Sequence, residues 1–211
     1  MRLTFLTISF FLTSFFAQGQ DQTLVGDCTV TFSITGNNAT TNSNLKDAVK
    51  TFYIRGKLSR VDINSSAYQQ SVIYNNATGE AVILQQVGTN KYMSHLTPEQ
   101  WNQKNISYLG ITFAFSGETK TILGYDCKKG TAMLKNGSSF TFYYAPGILP
   151  SATENPYQFK GIPGFVLQYE IAEKSNGSTI TFTYTASKID FSPVPASKFD
   201  IPTAGYIVRD N

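Results

Sequence analysis

The chain has 211 residues, with 17 Lys and Arg against 14 Asp and Glu and a single histidine. That length suits one domain able to bury a substantial core. Its positive charges are scattered, with Lys128-Lys129 the one adjacent pair, which excludes a nucleic-acid footprint. His95, with no acidic cluster around it, gives no metal site, and no cofactor is expected.

The chain begins with an export signal. Arg2 precedes an apolar run from Leu3 to Phe16, and Ala17-Gln18-Gly19 places small residues at the −3 and −1 positions of a cut before Gln20. The run is too short to span a bilayer, which needs about 20 apolar residues. No cysteine follows it closely enough for lipid attachment, and no later segment is long and apolar enough to cross a membrane. The expectation is a signal peptide over 1–19 and one mature domain over 20–211, periplasmic or secreted. Removing Arg2 leaves sixteen Lys and Arg against fourteen Asp and Glu. In an oxidising compartment, Cys28 and Cys127 are expected to form a disulfide rather than two separate buried thiols.

Period-two alternation then recurs along the mature chain. Cys28, Val30, Phe32 and Ile34 alternate with Thr29, Thr31, Ser33 and Thr35. The same rhythm runs through Ile111, Phe113 and Phe115, then Phe140, Phe142 and Tyr144, then Phe165, Leu167, Tyr169 and Ile171, then Ile180, Phe182 and Tyr184. Such alternation marks strands with one buried face. Turns are signalled at Arg55-Gly56-Lys57, Asn75 to Gly79, Gly88-Thr89-Asn90, Asn136-Gly137 and Ser175-Asn176-Gly177. About eleven strands result. One short helix opens at Thr97-Pro98-Glu99, an N-cap, a first-turn proline and an acidic residue, and carries Trp101. A second helical turn is expected over Asn44 to Val49. Ala145 to Gly164, rich in proline and glycine, reads as an irregular crossing loop. The fold class is mainly β: a meander of this length must close or pack on itself, so an open or closed antiparallel barrel is expected, with the short helix at its mouth or inside it.

No catalytic apparatus is legible. A Ser–His–carboxylate site would have to use His95, and no G-x-S-x-G elbow supplies a nucleophile. Asp126 and Glu118 have no spacing that makes them a working carboxylate pair. Six Asn-x-Ser/Thr sequons, at Asn38, Asn64, Asn76, Asn105, Asn136 and Asn176, read either as glycan sites or as turn chemistry. A chain this rich in Asn, Ser and Thr gives about three by chance.

Four stretches carry a family resemblance: TFYIRGKLSRVDI (Thr51–Ile63), SVIYNNATGEAVIL (Ser71–Leu84), ETKTILGYDCKK (Glu118–Lys129) and PYQFKGIPGFVL (Pro156–Leu167). Together they resemble the GLPGLI family and related envelope proteins of Gram-negative bacteria that share the fold of the outer-membrane lipoprotein carriers (LolA-like). The terminal KFDIPTAGY (Lys198–Tyr206) is similar to how such chains end, so the resemblance runs from about Thr51 to Tyr206. Ile162, Phe165 and Val166 depart from the name-giving motif, apolar for apolar. The resemblance implies a half-open antiparallel β-barrel, strongly curved and incomplete, with the short helix covering its concave side and an apolar cavity between. From it follows the expectation of a non-enzymatic protein that holds a lipid or a lipoprotein acyl chain. The cavity would be lined by Phe32, Phe52, Phe113, Phe142, Leu167, Tyr169 and Phe182, with Trp101 over it. The alternative is an envelope module that docks another protein and has no small-molecule ligand. An enzyme would need polar groups converging in a pocket.

Overall fold

A computed structural model describes residues 22–66, 68–175 and 178–209. The expected signal peptide, its cleavage point and the Asn176-Gly177 turn lie outside the described residues. In chain order the strands are β1 (Thr23–Val25), β2 (Asp27–Gly36), β3 (Val49–Arg55), β4 (Leu58–Asn64), β5 (Tyr68–Asn75), β6 (Ala81–Val87) and β7 (Asn90–Leu96). They continue with β8 (Thr112–Ile122), β9 (Tyr125–Met133), β10 (Ser139–Ala145), β11 (Ile148–Pro150), β12 (Phe165–Ser175), β13 (Ser178–Asp190) and β14 (Ile207–Val208). Helix α1 (Ala39–Asn44) follows β2, and α2 (Pro98–Lys104) follows β7.

Twelve strands form one sheet in the order β14-β7-β6-β5-β4-β3-β2-β13-β12-β10-β9-β8. Its ladders are antiparallel except for β14, which lies parallel to β7, while β1 and β11 form a separate parallel pair. The strands beyond the expected eleven are the shortest, β1, β11 and β14, each of two or three residues. Alternation of period two cannot announce segments that short.

Directly paired residues share a face, as do residues two apart on one strand. Register therefore places Cys28, Ile54, Ser59, Tyr74, Ala81 and Leu96 in one row across the sheet. Val30, Phe52, Val61, Val72 and Ile83 form the next row, and Phe32, Lys50 and Ile63 the one after. This face is concave. Phe52 and Phe165 meet with ring centroids 6.1 Å apart, although β2 and β13 stand between their strands. Three strand spacings would hold their backbones roughly 14 Å apart in a flat sheet.

The opposite, convex face is covered by the C-terminal segment. Tyr53, Leu58, Ile73, Val82, Leu84 and Met93 pack there against Val194, Phe199 and Tyr206. Arg55 and Arg60 donate to the carbonyls of Val194 and Lys198 along that strap.

No closed barrel is found among the described residues; β8 and β14 stand at the two edges. The reason is legible in β8. It is exposed along most of its length, carries Glu118 and Lys120, and bulges between Phe115 and Thr119. Charge and a bulge protect that edge in place of closure.

Helix α2 forms as expected, with Thr97 Oγ1 accepting from the Gln100 amide and the Gln100 side chain accepting from the Thr97 amide. It brings Trp101 onto Tyr74 at 5.8 Å, over the β5–β7 end of the concave face. It covers that end only. The second helical turn falls earlier than expected, at Ala39–Asn44, because Asn38 caps it by accepting from the Thr41 amide at 2.8 Å.

The expected disulfide is not formed. Cys28 on β2 and Cys127 on β9 are both buried free thiols. Strands β13, β12 and β10 separate them in the sheet, and both thiols are buried within the same apolar core.

Candidate functional site

The concave face is filled mainly by the chain segment between β11 and β12, residues 151–164. Ala152, Phe159 and Ile162 from this cover join the same core cluster as Phe32, Phe52, Phe142, Leu167 and Tyr169. Phe159 packs edge-on against Tyr169 with centroids 5.1 Å apart, and against Phe140 at 6.4 Å. Beyond Ser151, which bonds to Val25 and Gly56, the cover's backbone-to-backbone bonds close on the segment itself. They run from Phe159 to Asn155, Ile162 to Phe159 and Gly164 to Ile162.

Its C-terminal end is the GIPGFV stretch, Gly161 to Val166. Gly164 sits at φ 159° with its backbone tight on β10, where a Cβ would stand 2.4 Å from the Ala145 carbonyl oxygen. That stretch is therefore where the cover turns into β12, and only glycine fits the approach.

Polar contacts fasten the cover to the sheet. Glu154 Oε1 accepts from Lys50 Nζ and, at 2.8 Å, from the Tyr169 hydroxyl. Lys50 also hydrogen-bonds Tyr169. Asn155 Nδ2 donates to Asn105 Oδ1 at 2.9 Å, and Asn105 in turn donates to the Trp101 carbonyl. Asn105 is buried by these bonds, so this sequon holds structure together and is not displayed for a glycan.

Lys50 is the unusual member of the set. It lies on the concave face opposite Phe32, only 3% exposed. Its ammonium stands 5.6, 4.8 and 4.7 Å from the ring centroids of Phe32, Tyr169 and Tyr184; Tyr169 stacks on Tyr184 and meets Phe32 edge-on. Burial pushes its pKa below the ordinary lysine range, and Glu154 pulls the other way. Burial also raises Tyr169 well above the usual phenol value and Tyr184 to about 12, with Glu154 adding to both. These groups converge beneath the cover.

Phe32, Phe52, Phe142, Leu167 and Tyr169 are thus brought together, with Phe113 packed against them. Phe182 shares their face, opposite Ile171 and half-buried. Trp101 belongs to a separate cluster with Tyr74, Ala81, Ile83 and Leu96. In this state the space left among Phe52, Phe159, Phe165 and Glu154 is about 20 Å³. Water fits such a void and an acyl chain does not. A cleft of about 390 Å³ runs along the outside of the cover, lined by Tyr74, Leu149, Ala152 and Ile162 among others. It shares Pro150, Thr153, Phe159 and Gly164 with the inner void, so those residues form the wall between them.

Other groups singled out in the sequence have separate roles. Glu118 pairs with Lys129 at 2.8 Å and accepts from the Tyr143 hydroxyl, while Asp126 accepts from Thr121. His95 is exposed on β7, beside a cleft lined by Leu58, Ile73 and Phe199. Sequence reasoning missed Lys50, although a signal was present: it occupies the apolar phase of Lys50, Phe52 and Ile54. Glu154 and Phe159 carried no signal within a Pro- and Gly-rich loop.

No protein-family model matches this chain, and no curated protein matches it. Among solved structures, a PNGF-II structure is similar at 13% identity and TM-score 0.49, over 87% of this chain and 31% of that one. An uncharacterised conserved protein from Thermus thermophilus is 8% identical at TM-score 0.48, over 88% of this chain and 91% of that one. MucB is 10% identical at TM-score 0.46, over 87% of this chain and 60% of its own.

Proposed function

We propose that this is an exported, non-enzymatic binding protein that takes an apolar ligand, a lipid or acyl chain, onto its concave face when the 151–164 cover lifts. In that open state the sheet acts as the half-open barrel expected from the sequence. The observation that carries the proposal is the cover's attachment. Past Ser151 it bonds to itself along the backbone, and side chains alone tie it to an aromatic surface. Segments with few backbone bonds to their surroundings open locally at low cost. Two buried donors, Gln158 Nε2 on the cover and Trp101 Nε1 beside it, also find no partner among the described residues. Cover and helix are therefore less completely satisfied than the sheet beneath.

Magnitudes allow the exchange. Lifting Phe159 and Ile162 exposes two large apolar side chains, a loss of roughly 3–6 kcal/mol. An acyl chain burying about a dozen methylenes recovers roughly 10 kcal/mol at ~0.8 each. The test is titration with a pyrene-labelled long-chain alcohol, a neutral probe. Saturable binding that Leu167→Trp weakens, with the fold intact by circular dichroism, is the expected result. Absence of saturable binding by the unmodified protein overturns the proposal.

A second reading is an envelope docking module. The observation favouring it is a cleft of about 460 Å³ lined by Leu24, Val25, Tyr125, Ile148 and Phe191, with Leu24 69% exposed.

A further inference from the structure

The ammonium of Lys50 and the carboxylate of Glu154 differ in what holds them. Lys50 sits within β3, paired with Phe32 on one side and Ile63 on the other, so it stays with the sheet. Tyr169 is fixed in the same way between Phe142 and Tyr184. Glu154 rides on the cover. When the cover lifts, the carboxylate leaves, and a cation remains among the rings of Phe32, Tyr169 and Tyr184. Water can reach that cation while the site is open, but a ligand that covers the rings again expels the water and must bring a counter-charge of its own.

We infer that the ligand is a long-chain carboxylate, whose headgroup takes the place of the Glu154 carboxylate on Lys50 and the Tyr169 hydroxyl while its alkyl chain takes the place of Phe159 and Ile162. The inference rests on the concave face being the ligand site. Glu154 is then an internal stand-in for the ligand. The donor set fits a carboxylate. One ammonium and one hydroxyl already converge on a single carboxylate oxygen, Glu154 Oε1. One positive charge matches a monoanion and would leave a dianionic phosphomonoester in excess. Beyond the headgroup the walls are Phe52, Phe165 and Val166, which offer a chain no polar partner through their side chains. Ester-linked or amide-linked acyl tails lack the anion, so the site separates free carboxylates from them.

The experiment displaces cis-parinaric acid from the mature chain at pH 7.5 with palmitate, methyl palmitate or hexadecanol. Palmitate should compete roughly tenfold or more better than its methyl ester, the effect of one charge-assisted contact. Glu154→Gln, which removes the internal competitor and makes the cover easier to lift, should tighten palmitate and hexadecanol alike, severalfold, and leave the preference for the acid in place. Lys50→Met should abolish the preference for the acid while neutral chains still bind. If that variant does not fold, Tyr169→Phe deletes only the hydroxyl and should reduce the preference severalfold. Equal competition by acid, ester and alcohol overturns the headgroup assignment while leaving an apolar-ligand protein. No competition by any of the three, with no parinarate bound, overturns both.

Discussion

Replacing Glu154 by glutamine strips the counter-charge from Lys50 and leaves a cation 3% exposed. Three responses are open to the folded protein, and the cheapest sets the cost. Keeping the charge buried without its partner costs about 3–5 kcal/mol. Releasing the proton at pH 7, from a lysine whose ordinary pKa is 10.5, costs about 5 kcal/mol. Lifting the cover costs roughly 3–6 kcal/mol of apolar burial. The amide oxygen of glutamine can still accept one hydrogen bond, so a loss of about 2–4 kcal/mol is expected. Stabilities near 5–15 kcal/mol leave the variant folded.

The pH dependence identifies the cause. Burial lowers the folded-state pKa of Lys50, and without Glu154 it falls further. Between that lowered value and 10.5 the unfolded chain binds more protons than the folded one, so this group's contribution to stability rises with pH. At pH 10 proton release costs only about 0.7 kcal/mol. The gap between Glu154→Gln and the unmodified protein should therefore shrink to about 1 kcal/mol by pH 10. Urea unfolding at pH 7 and pH 10 measures it. A gap below about 1 kcal/mol at pH 7, or one that does not change with pH, would refute the reasoning.

Further expectations concern the frame around the site. Cys28 and Cys127 should be silent to a thiol reagent in the native protein, and both should react in denaturant without reductant, since each is a buried free thiol. Burial raises them to about 12 and about 11 from an ordinary 9.0, so the folded state keeps its protons longer. Stability from these groups is whole below pH 9 and declines above it, which alkaline unfolding of the unmodified chain and a Cys28→Ala variant should show. Gly130→Ala would place a Cβ 2.2 Å from Phe142 Cζ, and overpacking should cost about 1–3 kcal/mol, read by thermal unfolding. Leu123 occupies the β8–β9 turn at φ 52°, 41% exposed, so Leu123→Asn should stabilise by about 0.5–1 kcal/mol in urea unfolding.

Alternation made the sheet legible because half-buried strands write their two faces into the chain. Phe32, Phe52, Phe142, Leu167 and Tyr169 meet in one core because strand register aligns residues of equal phase. Thr97-Pro98-Glu99 located α2 because its capping chemistry is local. The failures involve contacts distant in sequence. Residues 151–164 gave only the proline and glycine signature of a loop, and nothing local shows that Phe159 turns inward onto Tyr169. Export argued for a disulfide, yet no spacing reveals that Cys28 and Cys127 stand four places apart in the sheet. Closure of a barrel is likewise a property of both edges, and the bulge and charges of β8 argue against it only once its neighbours are known. Lys50 was readable as a lysine in an apolar phase, but its partner lies 104 residues away.

Hydrogen exchange of the native chain, with and without a saturating pyrene-labelled alcohol, tests the central claim most directly. Amides over 155–162 should exchange by local opening, orders of magnitude faster than those in the middle of β3 and β12. Bound probe should change exchange in that segment and slow it at Phe165 to Tyr169 beneath. Cover amides that exchange only with global unfolding, and do not respond to the probe, would contradict a ligand site under a lifting cover.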